Sequence, residues 1–294
     1  RVDRRQRQMC IRDRYTESVT AAPGSVSQVR ESAAQLLRTA KECGIAIFLV
    51  GHVTKDGTVA GPKILEHMVD VVLFFEGESG SSLRILHGQK NRFGSTNEIA
   101  VFEMDGAGLH EVLNPSELLL SGRPIGASGS VVTCGMEGTR PLLIEIQGLL
   151  VSSAFNLPRR TANGIDYNRL NLLIAIVEKR LNLEIGKYDA YVNITGGLRI
   201  AEPSMDLAVI MALISSYMNV EIPEDVMIFG EVGLSGEVRA VSNADQRIEE
   251  AARLGFHKIV LPAFHMKKLR QPNLTACELV PVRSIREAVK ILKK

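Results

Sequence analysis

The chain has 294 residues, an apolar fraction of 45%, a charged fraction of 23% and a formal net charge of +2. That length suits about two domains, and the composition is that of ordinary globular protein. No apolar run reaches membrane-spanning length, no charged-then-apolar leader pattern occurs, and Cys10, Cys43, Cys134 and Cys277 share neither a C-x-x-C nor a metal-ligand spacing. These features give no membrane-spanning segment and no disulfide framework, and a reducing cytoplasm is the expected setting.

Residues 1–14 carry six Arg and two Asp, a net of +4, so the rest of the chain is at −2. Such a run suggests a basic nucleic-acid arm. Met9 to Asp13, however, resembles an in-frame translation of a transposon-end sequencing adaptor. Residues 1–14 are therefore expected to be foreign to the fold, and the natural protein to begin upstream of a truncated chain.

Ser25 and Gln28 have the form of a capping box. Val26, Val29, Ala33, Leu36, Leu37 and Ala40 then recur at helical spacing, and Gly44 stops the helix. Ile45–Val50 is a continuous apolar run, which predicts a strand buried on both faces of a parallel sheet. Its carboxyl end opens into Gly51-His52-Val53-Thr54-Lys55-Asp56-Gly57. Ligands of open α/β sheets sit at such ends, so His52 and Lys55 are candidate functional residues; a structural role for the histidine is the alternative. Val69–Phe75 predicts a second buried strand, interrupted by Asp70, with further strands over Leu83–Leu86 and Glu98–Glu103. Between them lies Lys90-Asn91-Arg92-Phe93-Gly94. Residues at i and i+2 of an extended segment point the same way, so Lys90 and Arg92 could face one anion, and the Arg fork suits phosphate. A solvated basic turn is the other reading of the pentapeptide. No G-x-x-x-x-G-K-[ST] occurs in the chain, so no P-loop is present.

Pro23-Gly24-Ser25-Val26, the His52 loop, Ala60-Gly61-Pro62-Lys63, Leu65-Glu66-His67 and Lys90–Gly94 together resemble the bacterial RadA (Sms) family of DNA repair proteins, from about Tyr15 to the C-terminus. The resemblance implies an α/β fold: residues 15–114 as the C-terminal part of a RecA-like ATPase core, and 115–294 as an α+β Lon-protease-like domain. It implies ATP and Mg2+ as cofactors, with the P-loop and a zinc-binding finger (Zn2+) lying before Tyr15. It implies that His52 senses the γ-phosphate, that the Val53–Lys63 loop with Lys55 and Lys63 binds DNA, and that Lys90–Gly94 meets a neighbour's nucleotide. Lys90 and Arg92 would act there as trans fingers, or Lys90 would touch DNA while Arg92 alone serves the nucleotide. The implied activity is a DNA-dependent ATPase and ring helicase that branch-migrates recombination intermediates. Single-stranded and branched DNA, RecA recombinase and a homo-oligomeric, hexameric ring are the implied partners.

In the second half, strands are predicted over Ser130–Cys134, Pro141–Leu150, Tyr191–Ile194, Val226–Phe229 and Lys258–Pro262. Helices are predicted over Tyr167–Leu181, Ser204–Met218 and Asn243–Leu254, and a last one is capped by Ser284 and Glu287. Asn114-Pro115-Ser116 begins a linker region, and Gly122–Gly129 reads as a loop rich in Gly, Pro and Ser. Ser204 lies where the resemblance implies the protease nucleophile, but the lysine position of a Ser–Lys dyad aligns with Asp245. Ser204 is accordingly read as a helix N-cap and the domain as proteolytically inactive. Arg159, Arg160 and Arg169 are candidate phosphate contacts, or else a solvated face.

Overall fold

The computed structural model describes residues 9–10, 16–22, 25–51, 65–77, 82–96, 98–153, 157–197, 202–267 and 277–293. His52, Lys55 and Lys63 lie outside the described residues. The chain divides into two units, residues 1–74 with 88–96, and residues 75–87 with 97–294.

In the first unit, strand β1 (Met9–Cys10) pairs parallel with β2 (Leu49–Val50). Helix α1 (Val26–Cys43) starts where Ser25 Oγ accepts the Gln28 N–H, and ends at Gly44 in the left-handed region with φ 62°. The Gln28 amide does not reach back to Ser25, as a capping box requires. It donates instead to the carbonyls of Thr16, Val19 and Ala21 and accepts the Thr16 N–H. A fully buried glutamine thus ties the incoming chain to the helix.

The expected doubly buried strand Ile45–Val50 is not found. Only Leu49–Val50 is strand, and Ile45 and Phe48 are 55% and 63% exposed. Among the described residues its ladder partner is Met9–Cys10 alone, which is too little sheet to cover two faces. A helical turn, α2 (65–68), leads into β3 (Val71–Glu76). This strand also departs from expectation, since Val71, Leu73 and Phe75 are exposed while Val72 and Phe74 are half-buried. Its apolar run is packed on one face only.

β4 (Leu83–Asn91), β5 (Ile99–Asp105) and β6 (Gly108–Glu111) follow, β4 antiparallel to β5 and β5 to β6, with Ile85 opposite Val101 and Met104 opposite Leu109. The unit boundaries fall within β3 and β4, away from the linker expected near Asn114. That segment is helix α3 (Pro115–Leu120), with Pro115 in its first turn. Leu119 is buried in one cluster with Leu83 and Val101, so the chain is packed where a linker was expected.

The second unit is built on a seven-stranded mixed sheet. Its strands are β7 (Ser130–Glu137), β8 (Arg140–Ser152), β9 (Arg160–Asn163), β10 (Tyr188–Ile194), β11 (Val226–Ile228), β14 (Lys258–Pro262) and β15 (Glu278–Val282). Their order is β15-β14-β11-β7-β8-β10-β9. β7, β11, β14 and β15 run parallel to one another, β8 is antiparallel to β7 and β10, and β9 is parallel to β10. A hairpin of β12 (Glu231–Val232) and β13 (Val238–Arg239) stands apart.

Helices cover both faces of this sheet. On one side lie α4 (Tyr167–Leu181) and α5 (Asp206–Met218), with the short α7 (Ile285–Ala288). On the other lies α6 (Ala244–Arg253), whose Ala244, Ile248 and Ala251 meet Val132, Leu143, Met227 and Ile259. α5 is apolar nearly all round and buried from Asp206 to Ser215, as a central core helix should be. Gly148 permits its approach: a Cβ there would lie 3.0–3.1 Å from Ala212 and the Leu213 nitrogen.

A polar row crosses this sheet at one register. Asn163 pairs with Asn193, Asn193 with Gln147, and Gln147 with Ser130. Asn163 Nδ2 donates to Asn193 Oδ1 at 2.6 Å, Asn193 Nδ2 to Gln147 Oε1 at 3.4 Å, and Gln147 Nε2 to Glu145 Oε2 at 3.3 Å. Ser130 Oγ donates to Glu145 Oε1 at 2.5 Å and accepts the Arg123 Nε–H at 3.2 Å.

Candidate functional site

The first unit presents the basic pentapeptide as a built loop. Strand β4 runs on to Asn91, so Lys90 is its next-to-last residue. The Lys90 ammonium donates to the carbonyls of Glu66 at 2.6 Å and Val69 at 2.8 Å. These lie at the end of α2, where helical carbonyls lack intrahelical partners. Asn91 makes a side-chain turn: its Oδ1 accepts the Phe93 N–H at 3.1 Å and its Nδ2 donates to the Ser95 carbonyl at 3.2 Å. A Cβ on Gly94 would sit 3.0 Å from that Nδ2, so glycine leaves the turn its room.

Arg92 is held by its neighbour Asp70. Its N–H donates to the Asp70 carbonyl at 3.1 Å, and its Nη1 lies 3.4 Å from Asp70 Oδ1. Both side chains are about half exposed, and Phe93 beside them is 85% exposed. Lys90 and Arg92, which the i, i+2 rule points the same way, are thus bonded differently. The strand ends between them, Lys90 turns inward to carbonyls, and Arg92 keeps a solvent-facing fork that suits a phosphate. Asp70, which sequence reasoning treated as a flaw in a strand, is the residue that holds it.

In the second unit the three candidate arginines separate. Arg160 donates to the carbonyls of Gly186 at 2.7 Å, Arg159 at 3.0 Å and Tyr188. Arg169 grips the buried Asp206 through two nitrogens and reaches the Val232 carbonyl at 3.2 Å. The hydrogen bond to Asp206 raises the Arg169 pKa further above its ordinary value. The Arg159 N–H donates to Asp189 Oδ1 at 2.7 Å, which holds that exposed carboxyl below the usual carboxylate range. Arg160 is tied to main-chain carbonyls and Arg169 to a buried carboxylate, and Arg159 is exposed beside Asp189.

Ser204 belongs to a buried cluster whose central member is Arg247. The Arg247 side chain is fully buried and lies over the Phe229 ring, 5.9 Å from its centroid. It donates to Ser204 Oγ at 3.2 Å, to the Ser242 carbonyl at 3.0 Å, to the Cys134 carbonyl and to Glu202. Glu202 in turn accepts the Met136 N–H at 2.9 Å.

The reading of Ser204 as a helix cap is corrected, because Met205 precedes α5 and Ser204 sits in the 3-10 turn before it. Asp245 does not meet the serine: its Oδ1 is buried without a hydrogen-bond partner. A guanidinium cannot take a proton from a hydroxyl, since it stays protonated to about pH 12 and above. Cys134 is no better a base or nucleophile, because burial pushes its thiol up to about 12. Arg247 and Glu202 were missed from sequence. The signal was there, since Arg247 falls on the Ala244, Ile248, Ala251 stripe that α6 buries.

Among the described residues, no group of three or more His, Cys, Asp or Glu is placed to hold a metal ion. No helix among them is long and apolar enough to cross a membrane.

A mixed α/β architecture with a preorganised basic loop in one unit and a helix-covered sheet in the other defines the class. Residues 171–265, inside the second unit, match the family described as subunit ChlI of Mg-chelatase. Over 277 residues, 94% of this chain, the sequence is 51% identical to DNA repair protein RadA of Bacillus subtilis and 49% to that of Halalkalibacterium halodurans. Over 281 residues it is 45% identical to DNA repair protein RadA of Synechocystis sp.. The chain spans 60% of the length of the first two relatives and 55% of the third. It belongs to the RadA family.

Proposed function

We propose that this chain is part of a DNA-dependent ATPase of DNA repair, a ring helicase that moves branched recombination intermediates alongside RecA recombinase in the cytoplasm. No P-loop motif occurs in this sequence, so the ATP and Mg2+ that Arg92 serves are held by groups other than these residues. The role of this segment is to supply Arg92 in trans to the nucleotide of the neighbouring subunit in a hexameric ring. Bound ATP supplies the transferable phosphoryl group; Arg92 meets the charge that develops on it, and such a positioned guanidinium can contribute about 10³–10⁵ in rate.

The observation that carries this reading is the built loop. Asn91 and Asp70 fix Arg92 at a strand end with its fork toward solvent. The second unit serves assembly and DNA contact, with Arg159 among its phosphate contacts. Peptidase chemistry is disfavoured by Arg247, which puts a permanent cation on Ser204 where a base is needed.

The test is ATP hydrolysis by the complete protein with and without single-stranded DNA. Arg92→Ala is expected to abolish the stimulated rate while the protein still assembles. Full stimulated activity in that variant would overturn the trans role.

A further inference from the structure

Helix α6 begins without a side-chain cap. Its cap residue, Asn243, is in the left-handed region with φ 55° and makes no side-chain capping bond. The two residues before it are held from elsewhere. His265 Nε2 accepts the Val241 N–H at 3.1 Å, and Arg247 Nε donates to the Ser242 carbonyl at 3.0 Å.

His265 is buried, and its ring lies beside Phe229 and Phe264, with centroids 6.3 Å and 6.5 Å away. The Arg247 guanidinium stands over that same Phe229 ring. A main-chain N–H can only donate, so Nε2 presents its lone pair and the imidazole is neutral, with its proton on Nδ1.

We propose that His265 is an acid-operated latch on the entry to α6: as the neutral ring it keeps Val241 in place and the Arg247 cluster closed, and as the imidazolium it releases both. The latch is independent of the role given to Arg92.

An imidazolium has two N–H donors and no acceptor. A proton on Nε2 therefore meets the Val241 N–H donor to donor, and that bond is lost. Burial opposes the new charge, and the Arg247 cation beside Phe229 opposes it further. The other charged groups on the elements around the ring are Asp245 on α6, Arg239 of β13 paired with Glu237, Lys258 of β14 paired with Glu278 of β15, and Lys267 on the turn of His265 itself. Opening the helix entry gives the imidazolium water and frees it from the N–H at once. Histidine is the side chain whose ordinary charge change falls between about pH 5 and 8.

The release travels through adjacent residues. Ser242 follows Val241, and its carbonyl is one of the acceptors that fix Arg247, which also holds Ser204, Glu202 and the Cys134 carbonyl. α6 packs on Val132, Leu143, Met227 and Ile259, so the latch governs the cover of one face of the sheet.

Hydrogen exchange on the complete protein, expressed as protection factors across about pH 8 to pH 5, tests the latch. The opened entry binds one proton more than the closed one. Protection of the Val241 amide should therefore fall about tenfold for each pH unit below about 6.5, the ordinary histidine value. Level protection in the unaltered protein overturns the proposal. In His265→Gln the side-chain oxygen can accept the Val241 N–H and cannot titrate, so protection should stay level; a fall as steep as in the unaltered protein assigns the proton to another group and overturns the latch. The Met136 amide donates to Glu202, the partner of Arg247, and should lose protection in step with Val241. If it stays protected while Val241 opens, the latch does not reach the Arg247 cluster, and that part of the proposal is wrong.

Discussion

The Asp70 carboxylate lies 3.4 Å from the Arg92 guanidinium while the Asp70 carbonyl takes the Arg92 N–H at 3.1 Å. The main-chain bond fixes where the arginine starts, and the side-chain pair is a weak, solvent-screened tether. Asp70→Asn keeps the first and removes the charge of the second. With an exposed pair worth at most about 1 kcal/mol, affinity of the loop for pyrophosphate should rise by no more than about fivefold at low salt. The gain should vanish as salt shortens the Debye length, and it should be absent in an Arg92→Ala background. A gain that persists without Arg92 would assign Asp70 to some other cation.

Arg247 and Glu202 form a buried pair inside the second unit, with Ser204 and two carbonyls completing the shell. Arg247→Met strands the Glu202 carboxylate without its cation, which should cost about 3–5 kcal/mol in urea unfolding. Adding Glu202→Gln should return a large part of that loss, since an uncompensated charge is worse than an apolar replacement of the pair. If Arg247→Met costs less than about 1 kcal/mol, the cluster is not a centre of stability.

Glu250 couples α6 to α3: it accepts the Ser116 hydroxyl at 2.8 Å and pairs with Arg253 at 2.9 Å. Burial raises its carboxyl, but the bonds from Arg253 and Ser116 outweigh it and hold the folded value below the ordinary 4.5. Its contribution is therefore complete above the unfolded value and is lost as pH falls through the folded one. Unfolding midpoints of the protein and of Glu250→Gln should differ at neutral pH, and the gap should close as pH drops below 4.5. A gap that widens in acid would reverse the sign.

Arg159 and Arg160 are neighbours with separable roles. Arg160 holds three carbonyls, so Arg160→Gln should lower thermal stability and leave the salt dependence of DNA binding unchanged. Arg159→Gln should fold normally and reduce the slope of log K against log salt by about 0.7–0.9, one phosphate contact. An unchanged slope for Arg159→Gln takes it off the DNA surface.

Much of the second unit can be read directly from sequence. Helix α4 (Tyr167–Leu181) and strand β14 (Lys258–Pro262) have the bounds that a regular apolar stripe and a β-branched run predict. Asp166 and Asn182 close α4 with a side-chain cap and a left-handed turn. The misreadings share a cause: local pattern does not say what covers a segment. Ile45–Val50 has the residues of a core strand, but Ile45 and Phe48 are open. Pro115 looked like a linker signal, although proline after Asn is equally a helix start, and α3 begins there. Arg247 was passed over because a charged residue on a buried stripe is recognisable only when its partners come from elsewhere, here Glu202 and Cys134, 45 and 113 residues distant in sequence. The pentapeptide marked the right place; which of its cations is free depended on carbonyls more than 20 residues upstream of Lys90.

The row Asn163, Asn193, Gln147, Ser130 has a bearing on how the sheet finds its pairing. Successive strand residues face opposite sides, so a one-residue slip of β10 against β8 would turn Asn193 toward α5 and swing Val192 outward. The stray amide would then lie among Ile144, Ile146 and the apolar side chains of α5, with nothing to accept or donate. An apolar row at that level would tolerate the slip; this one penalises it. The four side chains thus act as a proofreading mark, one that should show itself as slow or heterogeneous refolding when Asn193 is made Val.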